Sequence, residues 1–301
     1  MAVQIPYVRW FEVAYGVAEQ VSPLIRRVTA HNPGPFTYTG TGAYIVGKGE
    51  VAVIDPGPRL DAHLDALMRA LDGERVTHIL VTHTHLDHSP LAHPLAERTG
   101  ARIWAAQPPA PSHTAEVATE EGLDEMFRPD VILEGGERIE GKGWTFEALA
   151  TPGHASNHMA FALLEENALF SGDHVMGWST TVVSPPDGDM GAYYASLDAV
   201  RARGFSTLWP THGPPVTDPE PFLDAYREHR LDRERQILDR LAAGDRTIAE
   251  MVPTIYAAVD RRLWPAASHS MLAHLIDMTR RGIVATEAGP PAIDSRYLLR
   301  A

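Results

Sequence analysis

Apolar and polar positions follow a short period over the first two-thirds of the chain and a helical one afterwards. Ala43-Tyr44-Ile45-Val46-Gly47 and Val51-Ala52-Val53-Ile54-Asp55 flank the turn Lys48-Gly49-Glu50, which predicts a β-hairpin. Asp55-Pro56-Gly57 stops the second strand. Between Leu60 and Leu71 the apolar residues Leu60, Leu64, Leu67, Met68 and Leu71 recur at the helix period. The run His78-Ile79-Leu80-Val81 then predicts a strand, Leu91 to Arg98 a short helix, and Ala101 to Ala105 another strand. Val131 to Leu133, Trp144 to Leu149, Met159 to Leu163 and Ala168 to Phe170 also read as strands, the last two paired around Glu165-Glu166-Asn167. Two β-rich halves with helices between them predict an α/β fold of two facing sheets covered by helices.

The pattern changes after the Pro-rich stretch from Gly213 to Pro221, which reads as a linker. Phe222 to Leu241 forms one amphipathic helix that Gly244 stops, and Thr247 caps a second, which Pro253 kinks or divides. Ser268 or Ser270 starts a third, with Met271, Leu272, Leu275 and Met278 turned inward and Gly282 as its end. Ile283 to Thr286 follows as a strand. Three helices and a short strand resemble a winged helix, so the expected division is a catalytic unit over residues 1–215 and a small α domain over 222–301.

Composition narrows the class. With 301 residues, 44% of them apolar, the chain has ample material for a core. No apolar stretch approaches the roughly 18 residues of a membrane span, and Met1 to Trp10 lacks the marks of a signal peptide. A cytoplasmic location is the expectation. The absence of cysteine removes disulfides and thiolate metal sites, leaving His, Asp and Glu as ligands. The net charge of −13 disfavours broad attraction to nucleic acid. From Asp224 onward, 12 Arg against 11 Asp plus Glu nearly balance, so the acidity belongs to the first part of the chain.

The candidate chemistry begins at Thr82-His83-Thr84-His85-Leu86-Asp87-His88, where three imidazoles and a carboxylate follow the end of a strand. His83 and His85, two apart, share a face, and Asp87 and His88 swing to a second point beyond the turn. Neutral imidazoles and carboxylates suit zinc and related divalent ions, and two ligand pairs this close point to two adjacent metals. Three further segments place ligands just after strands: Thr151-Pro152-Gly153-His154, Phe170-Ser171-Gly172-Asp173-His174, and Leu208-Trp209-Pro210-Thr211-His212-Gly213. Asp55 is either an acceptor behind the metal-binding histidines or a capped turn before Pro56. Asn157, His158, His174 and the Asn32 to Thr37 loop are candidate substrate contacts. Trp178 and the Tyr193-Tyr194 pair, in a stretch that reads as loop, are either an apolar wall or core.

The order His83-x-His85-x-Asp87-His88, His154, Asp173, His212 resembles the metallo-β-lactamase superfamily. That resemblance implies an αββα sandwich with a small C-terminal winged-helix-like α domain and a dinuclear site on one edge. It implies that His83, His85 and His154 hold the first metal, that Asp87, His88 and His212 hold the second, and that Asp173 bridges them. His31-Asn32-Pro33-Gly34-Pro35-Phe36-Thr37, Gly40-Thr41 and the C-terminal unit are similar to the β-lactamase-like protein 2 family, with one departure at Gly42, where that family's stretch carries Asn. Asp173 stands where dedicated β-lactamases carry Cys or Ser and resembles the arrangement in thioesterases, lactonases and phosphodiesterases.

A hydroxide bridging two metals is a strong nucleophile at neutral pH, and Asp87 is placed to orient it as the catalytic acid–base group. The expected cofactor is two divalent ions, zinc first, with iron or manganese as alternatives. The leading reading is a hydrolase of a small-molecule acyl ester, thioester or lactone. The resemblance also implies a single-strand endoribonuclease as the alternative, with β-lactam hydrolysis as a side activity and a metal-sensing winged-helix regulator a distant third. Ser268 to Arg281 offers only Arg280 and Arg281 as basic residues, at its end, which favours a lid or homodimer element over a nucleic-acid reader.

Overall fold

A computed structural model describes residues 4–8, 10–110 and 122–300; Met1 to Val3 and Arg9 of the opening segment lie outside the described residues. The first sheet contains β1 (Ala18–Gln20), β2 (Ile25–Thr29), β3 (Gly42–Lys48), β4 (Glu50–Ile54), β5 (Arg75–Leu80), β6 (Arg102–Ala106) and β7 (Val131–Leu133), in that spatial order. β1 to β4 pair antiparallel and β4 to β7 pair parallel. Parallel neighbours need a crossover, and α1 (Asp61–Ala70) and α2 (Ala92–Thr99) supply two. The second sheet holds β8 (Arg138–Gly141), β9 (Trp144–Ala150), β10 (Met159–Leu163), β11 (Ala168–Gly172) and β12 (Thr207–Pro210) in the order β12-β11-β10-β9-β8. β11 and β12 run parallel, joined through α3 (Met190–Ala202).

Side-chain alternation builds the layers. In β3, Tyr44 and Val46 face the second sheet, while Ala43 and Ile45 pack with Leu67 of α1 and Leu95 of α2. In β10, Met159, Phe161 and Leu163 join the layer between the sheets, and Ala160 and Ala162 face Leu197 of α3. Edge-to-face rings fill that middle layer, with Tyr44 5.0 Å and Phe146 5.8 Å from Phe170. The result is the αββα sandwich.

Beyond it lie α4 (Pro219–Ala243), α5 (Ile248–Ile255), α6 (Trp264–Arg280) and a hairpin of β13 (Val284–Thr286) with β14 (Tyr297–Leu299). This is the winged-helix unit. α4 serves two cores: Phe222 and Tyr226 pack on α3, whereas Ile237 and Leu241 pack with Met271 and Leu275 of α6. Thr247 closes a capping box with Glu250, and Pro253 is accommodated in the last turn of α5.

Several boundaries differ from the sequence pattern. The Pro-rich stretch is not a free linker, because Leu208 and Val216 exchange backbone hydrogen bonds at 2.9 Å and α4 starts at Pro219. Proline suits the first turn, where its missing N–H costs nothing. For the same reason α6 begins at Trp264-Pro265 rather than at Ser268 or Ser270. Tyr193 and Tyr194 lie on α3 rather than in a loop; Gly191 and alternating polar residues dilute the apolar stripe, and Asp189 caps the helix from outside it. β2 carries Arg26-Arg27 at its centre and β8, β1 and β14 are only three or four residues long, which hides them from a period count.

Glu234 of α4 fixes the winged-helix unit to the sandwich. Its carboxylate accepts from Tyr194 of α3 at 2.8 Å and from Arg281 at 2.7 Å, with His274 of α6 3.8 Å away. Burial raises its pKa, but these neighbours outweigh burial and hold it down at about 2. A depressed folded pKa gives stability that is complete above the unfolded value near 4.3 and lost as pH falls through about 2. Hydrogen exchange of α6, taken relative to the intrinsic amide rate at each pH, is therefore expected to quicken between pH 4.5 and 2.5 in the native protein. In Glu234→Gln it should be faster at pH 7 and less sensitive to that acid range.

Candidate metal centre

β9 and β11 both run antiparallel to β10 and so point the same way, and β12 runs with β11. Their C-terminal ends carry His154, Asp173 and His212. The ends of β4 and β5 bring Asp55 and the Thr82 to His88 segment to meet them. Backbone bonds lock the two sheets together there: Met159 N–H donates to the Thr82 carbonyl at 2.7 Å, and Gly42 N–H to the Thr211 carbonyl at 2.9 Å. All seven residues singled out from the sequence lie in this one cluster, buried to at least 92%.

Three nitrogens converge on one point. His83 Nε2 stands 2.9 Å from His85 Nδ1, and His154 Nε2 is 3.3 and 3.2 Å from those two atoms. His154 Nδ1–H donates to the Val182 carbonyl at 2.7 Å, which leaves Nε2 as a bare lone pair. His83 Nδ1 is engaged in the same way by the Thr82 hydroxyl at 3.0 Å. A second convergence lies beside the first: His212 Nε2 is 3.0 Å from Asp87 Oδ2, and His88 Nε2 is 3.3 Å from it. Asp173 faces both groups. Its Oδ1 is 3.4 Å from His212 and 3.6 Å from His88, while Oδ2 is 3.9 Å from His154.

These residues fit divalent cations. Tetrahedral ligands at about 2.0–2.1 Å from zinc stand about 3.3 Å apart, close to the observed nitrogen spacing. His88 Nε2 and Asp173 Oδ1 are buried without a hydrogen-bond partner among the described residues, although both are strong polar atoms. Lone pairs aimed at one another repel unless a cation lies between them. Burial, and then the neighbouring imidazoles, push His83 well down, and burial also lowers His85 to about 3 and depresses His154; all three are neutral, the form that can bind a metal. Burial opposes charge on His88 and His212, but the carboxylates Asp87 and Asp173 raise both, His212 to about 9. Burial would raise Asp87 and Asp173 in turn; His88 and His212 overcome it and keep them ionised.

Behind the histidines sits Asp55. Its Oδ1 accepts the Thr82 N–H at 2.8 Å, and its Oδ2 accepts the Thr82 hydroxyl at 2.8 Å, His88 Nδ1–H at 2.9 Å and the Thr211 hydroxyl at 3.0 Å. It is thus the acceptor behind the ligands, and the turn before Pro56 follows from that role. Asp55 adopts a left-handed backbone, φ 47°, which Asp tolerates better than most residues. Sequence reasoning missed Thr82 and Thr211, although the repeated Thr-His pair at the ends of two strands was a visible signal.

Arg27 was also missed. Its guanidinium is buried between Phe11 and Tyr44 and donates to the carbonyls of Thr211 and Gly213, the residues on either side of His212. Gly42 makes room for it: a Cβ there would lie 2.2 Å from Arg27 Nε. The side chain absent at Gly42 is replaced by an arginine reaching across from β2.

Of the weaker candidates, His158 is a support rather than a substrate contact. Its Nδ1 meets the Thr151 hydroxyl at 2.8 Å and its Nε2 accepts the Asp173 N–H at 3.1 Å. Asn157 bonds Thr84, and His174 is buried against the Tyr193 ring. Tyr193 is core. Pro35 and Phe36 of the Asn32 to Thr37 loop and Trp178 do line a cavity of about 320 Å³ that contains His85, Asp87, His154, Asp173 and His212. Its other walls come from residues 176–182, from α4, from Tyr256, Val259 and Leu263 after α5, and from α6, so the winged-helix unit roofs the cluster.

Residues 39–212 match the metallo-beta-lactamase superfamily and residues 247–290 the beta-lactamase associated winged helix domain. The chain is 32% identical to an atrochrysone carboxyl ACP thioesterase of Aspergillus chevalieri, over 80% of this chain and 76% of that protein. It is 29% identical to a beta-lactamase-like protein 2 homolog of Caenorhabditis elegans, over 88% of each. Among solved structures, a metallo-beta-lactamase family protein from Thermus thermophilus superposes with a TM-score of 0.74 at 26% identity, covering 93% of this chain and all of the other.

Asp55→Ala leaves His88 and both threonine hydroxyls without their acceptor. Metal affinity measured by chelator competition should fall about 10–100-fold, while far-UV circular dichroism stays that of a folded α/β protein. Unchanged affinity would mean that the histidines orient themselves without this carboxylate.

Proposed function

The chain belongs to the metallo-beta-lactamase superfamily and is a metal-dependent hydrolase; from that premise we propose that it hydrolyses a small-molecule acyl ester, thioester or lactone at a dinuclear centre. The observation that carries this reading is that the ligand cluster opens into a cavity walled mainly by apolar side chains, among them Phe36, Met176, Trp178, Val259 and Leu263. Such walls suit an acyl chain. The relative named as an ACP thioesterase agrees with an acyl substrate. An RNA strand requires an exposed basic track, which an acidic chain with a roofed cavity does not favour.

In this reading His83, His85 and His154 hold one ion through the three converging nitrogens. Asp87, His88 and His212 hold the other, and Asp173 reaches both with its two oxygens. Zinc suits this ligand set, as do iron and manganese. The ions supply Lewis acidity toward the scissile carbonyl and make water acidic enough to attack at neutral pH. Asp87, kept ionised by His88 and His212, orients that water and accepts its proton. The roof of α4 to α6 excludes bulk solvent and holds the acyl body against the cluster. No helix among the described residues is long and apolar enough to cross a bilayer.

A panel of octanoyl-N-acetylcysteamine, a medium-chain lactone, bis-p-nitrophenyl phosphate, single-stranded RNA and a cephalosporin separates the alternatives. The metal-loaded protein should turn over an acyl substrate with the highest kcat/KM, and Asp87→Asn should lower kcat by about 10²–10⁴-fold. Faster cleavage of RNA than of every acyl substrate, lost at moderate salt, would replace this reading with the ribonuclease one.

A further inference from the structure

Arg230 lies in the wall of the cavity, on α4, and is only 3% exposed. A buried guanidinium normally sits against a carboxylate, because removing its charge from water uncompensated costs several kcal/mol. Here there is none among the described residues. The acids of α4 are engaged elsewhere: Glu234 with Tyr194 and Arg281, Asp232 with Arg235 and Gln236. Arg230 donates from Nη2 to the Thr181 carbonyl and lies 5.1 Å above the Tyr193 ring. Its Nε is buried with no hydrogen-bond partner among the described residues.

The tyrosines around it offer no negative charge. Tyr193 donates its hydroxyl to the His174 carbonyl and Tyr226 its own to the Met176 and Ser179 carbonyls. Ring faces ease the burial of a cation but do not neutralise it. One turn along the helix, Arg233 also lines the cavity, lies 4.1 Å over the Tyr256 ring, and spends its hydrogen bonds on Gln236 and the Ile255 carbonyl. It too has no carboxylate partner among the described residues. Residues three apart on a helix share a face.

We propose that Arg230 and Arg233 form an anion-reading subsite in the roof, so that the substrate is an acyl compound with an apolar body and a carboxylate or phosphate apart from the scissile bond. This rests on the hydrolase reading of the same cavity. The fork of an arginine matches either anion, and the apolar wall between roof and ligand cluster accommodates the body. The winged-helix unit then acts as a specificity element. Two of its cations, Arg230 and Arg233, face the cavity.

The test is direct binding, read by calorimetry, of octanoate, octyl phosphate and neutral octanamide to metal-stripped and metal-loaded protein. In the stripped protein at least one anion should bind ten or more times as tightly as octanamide, and the stronger of the two identifies the group. Arg230→Met and Arg233→Met should each cut that preference at least fivefold; these variants separate the guanidiniums from the charged histidines of the cluster. Arg230→Lys, which keeps the charge but loses the fork, serves if Arg230→Met does not fold. Equal binding of anion and amide by the stripped protein overturns the subsite. So does a preference that survives both substitutions, since the arginines then only support the 179–182 segment. Selective binding without hydrolysis of any acyl compound would overturn the hydrolase reading alone, and acyl hydrolysis without selectivity would overturn the subsite alone.

Discussion

The carboxylate of Asp55 accepts four hydrogen bonds from three stretches of chain: the Thr82 N–H and hydroxyl at the end of β5, His88 in the following turn, and the Thr211 hydroxyl after β12. Thr82 belongs to the first sheet and Thr211 to the second, so one buried side chain sets the spacing of the two sheets at the edge where the ligands gather. It also fixes the orientation of His88 directly and of His83 through Thr82. Each buried donor left unmet costs about 1–3 kcal/mol, so the hub as a whole is worth a sizeable share of a domain stability of about 5–15 kcal/mol. Arg27 does the corresponding work on the other flank by holding the carbonyls around His212. The ligands are thus placed by polar contacts that the apolar layers make rigid.

From that edge the cavity extends into the winged-helix unit. α4 is the connecting element, with one half in the core of the sandwich and the other in the core of the small domain. Through Glu234 it bonds α3 and reaches the end of α6, and through His229, Arg230 and Arg233 it faces the cavity. A domain held this way is a fixed roof. Its position over the cavity is what the proposed anion-reading subsite rests on.

The seven clustered His and Asp residues, the two sheets and the helical C-terminal unit were legible in the sequence because their signals are local. Thr82 to His88 is a contiguous motif, and strands such as Met159 to Leu163 are unbroken apolar runs. What was hidden depends on contacts between distant segments. Arg27 interrupts β2 with a charge whose partners lie more than 180 residues away. His158 reads as a substrate contact beside His154 until its bond to the Asp173 N–H is seen. Tyr193 and Tyr194 sit on a helix whose cap lies beyond its apolar pattern. Arg230 is one of several arginines along α4, and only packing shows that this one is buried and without a carboxylate.

The account stands on the claim that these side chains hold two ions rather than one. Its most direct measurement is the metal content of the purified chain, stripped with chelator, reloaded with zinc and freed of excess ion, read by elemental mass spectrometry. The expected result is two equivalents per chain in the native protein and at most one in Asp173→Ala, the residue that faces both groups. A single equivalent in the native protein, unchanged by that substitution, would contradict it.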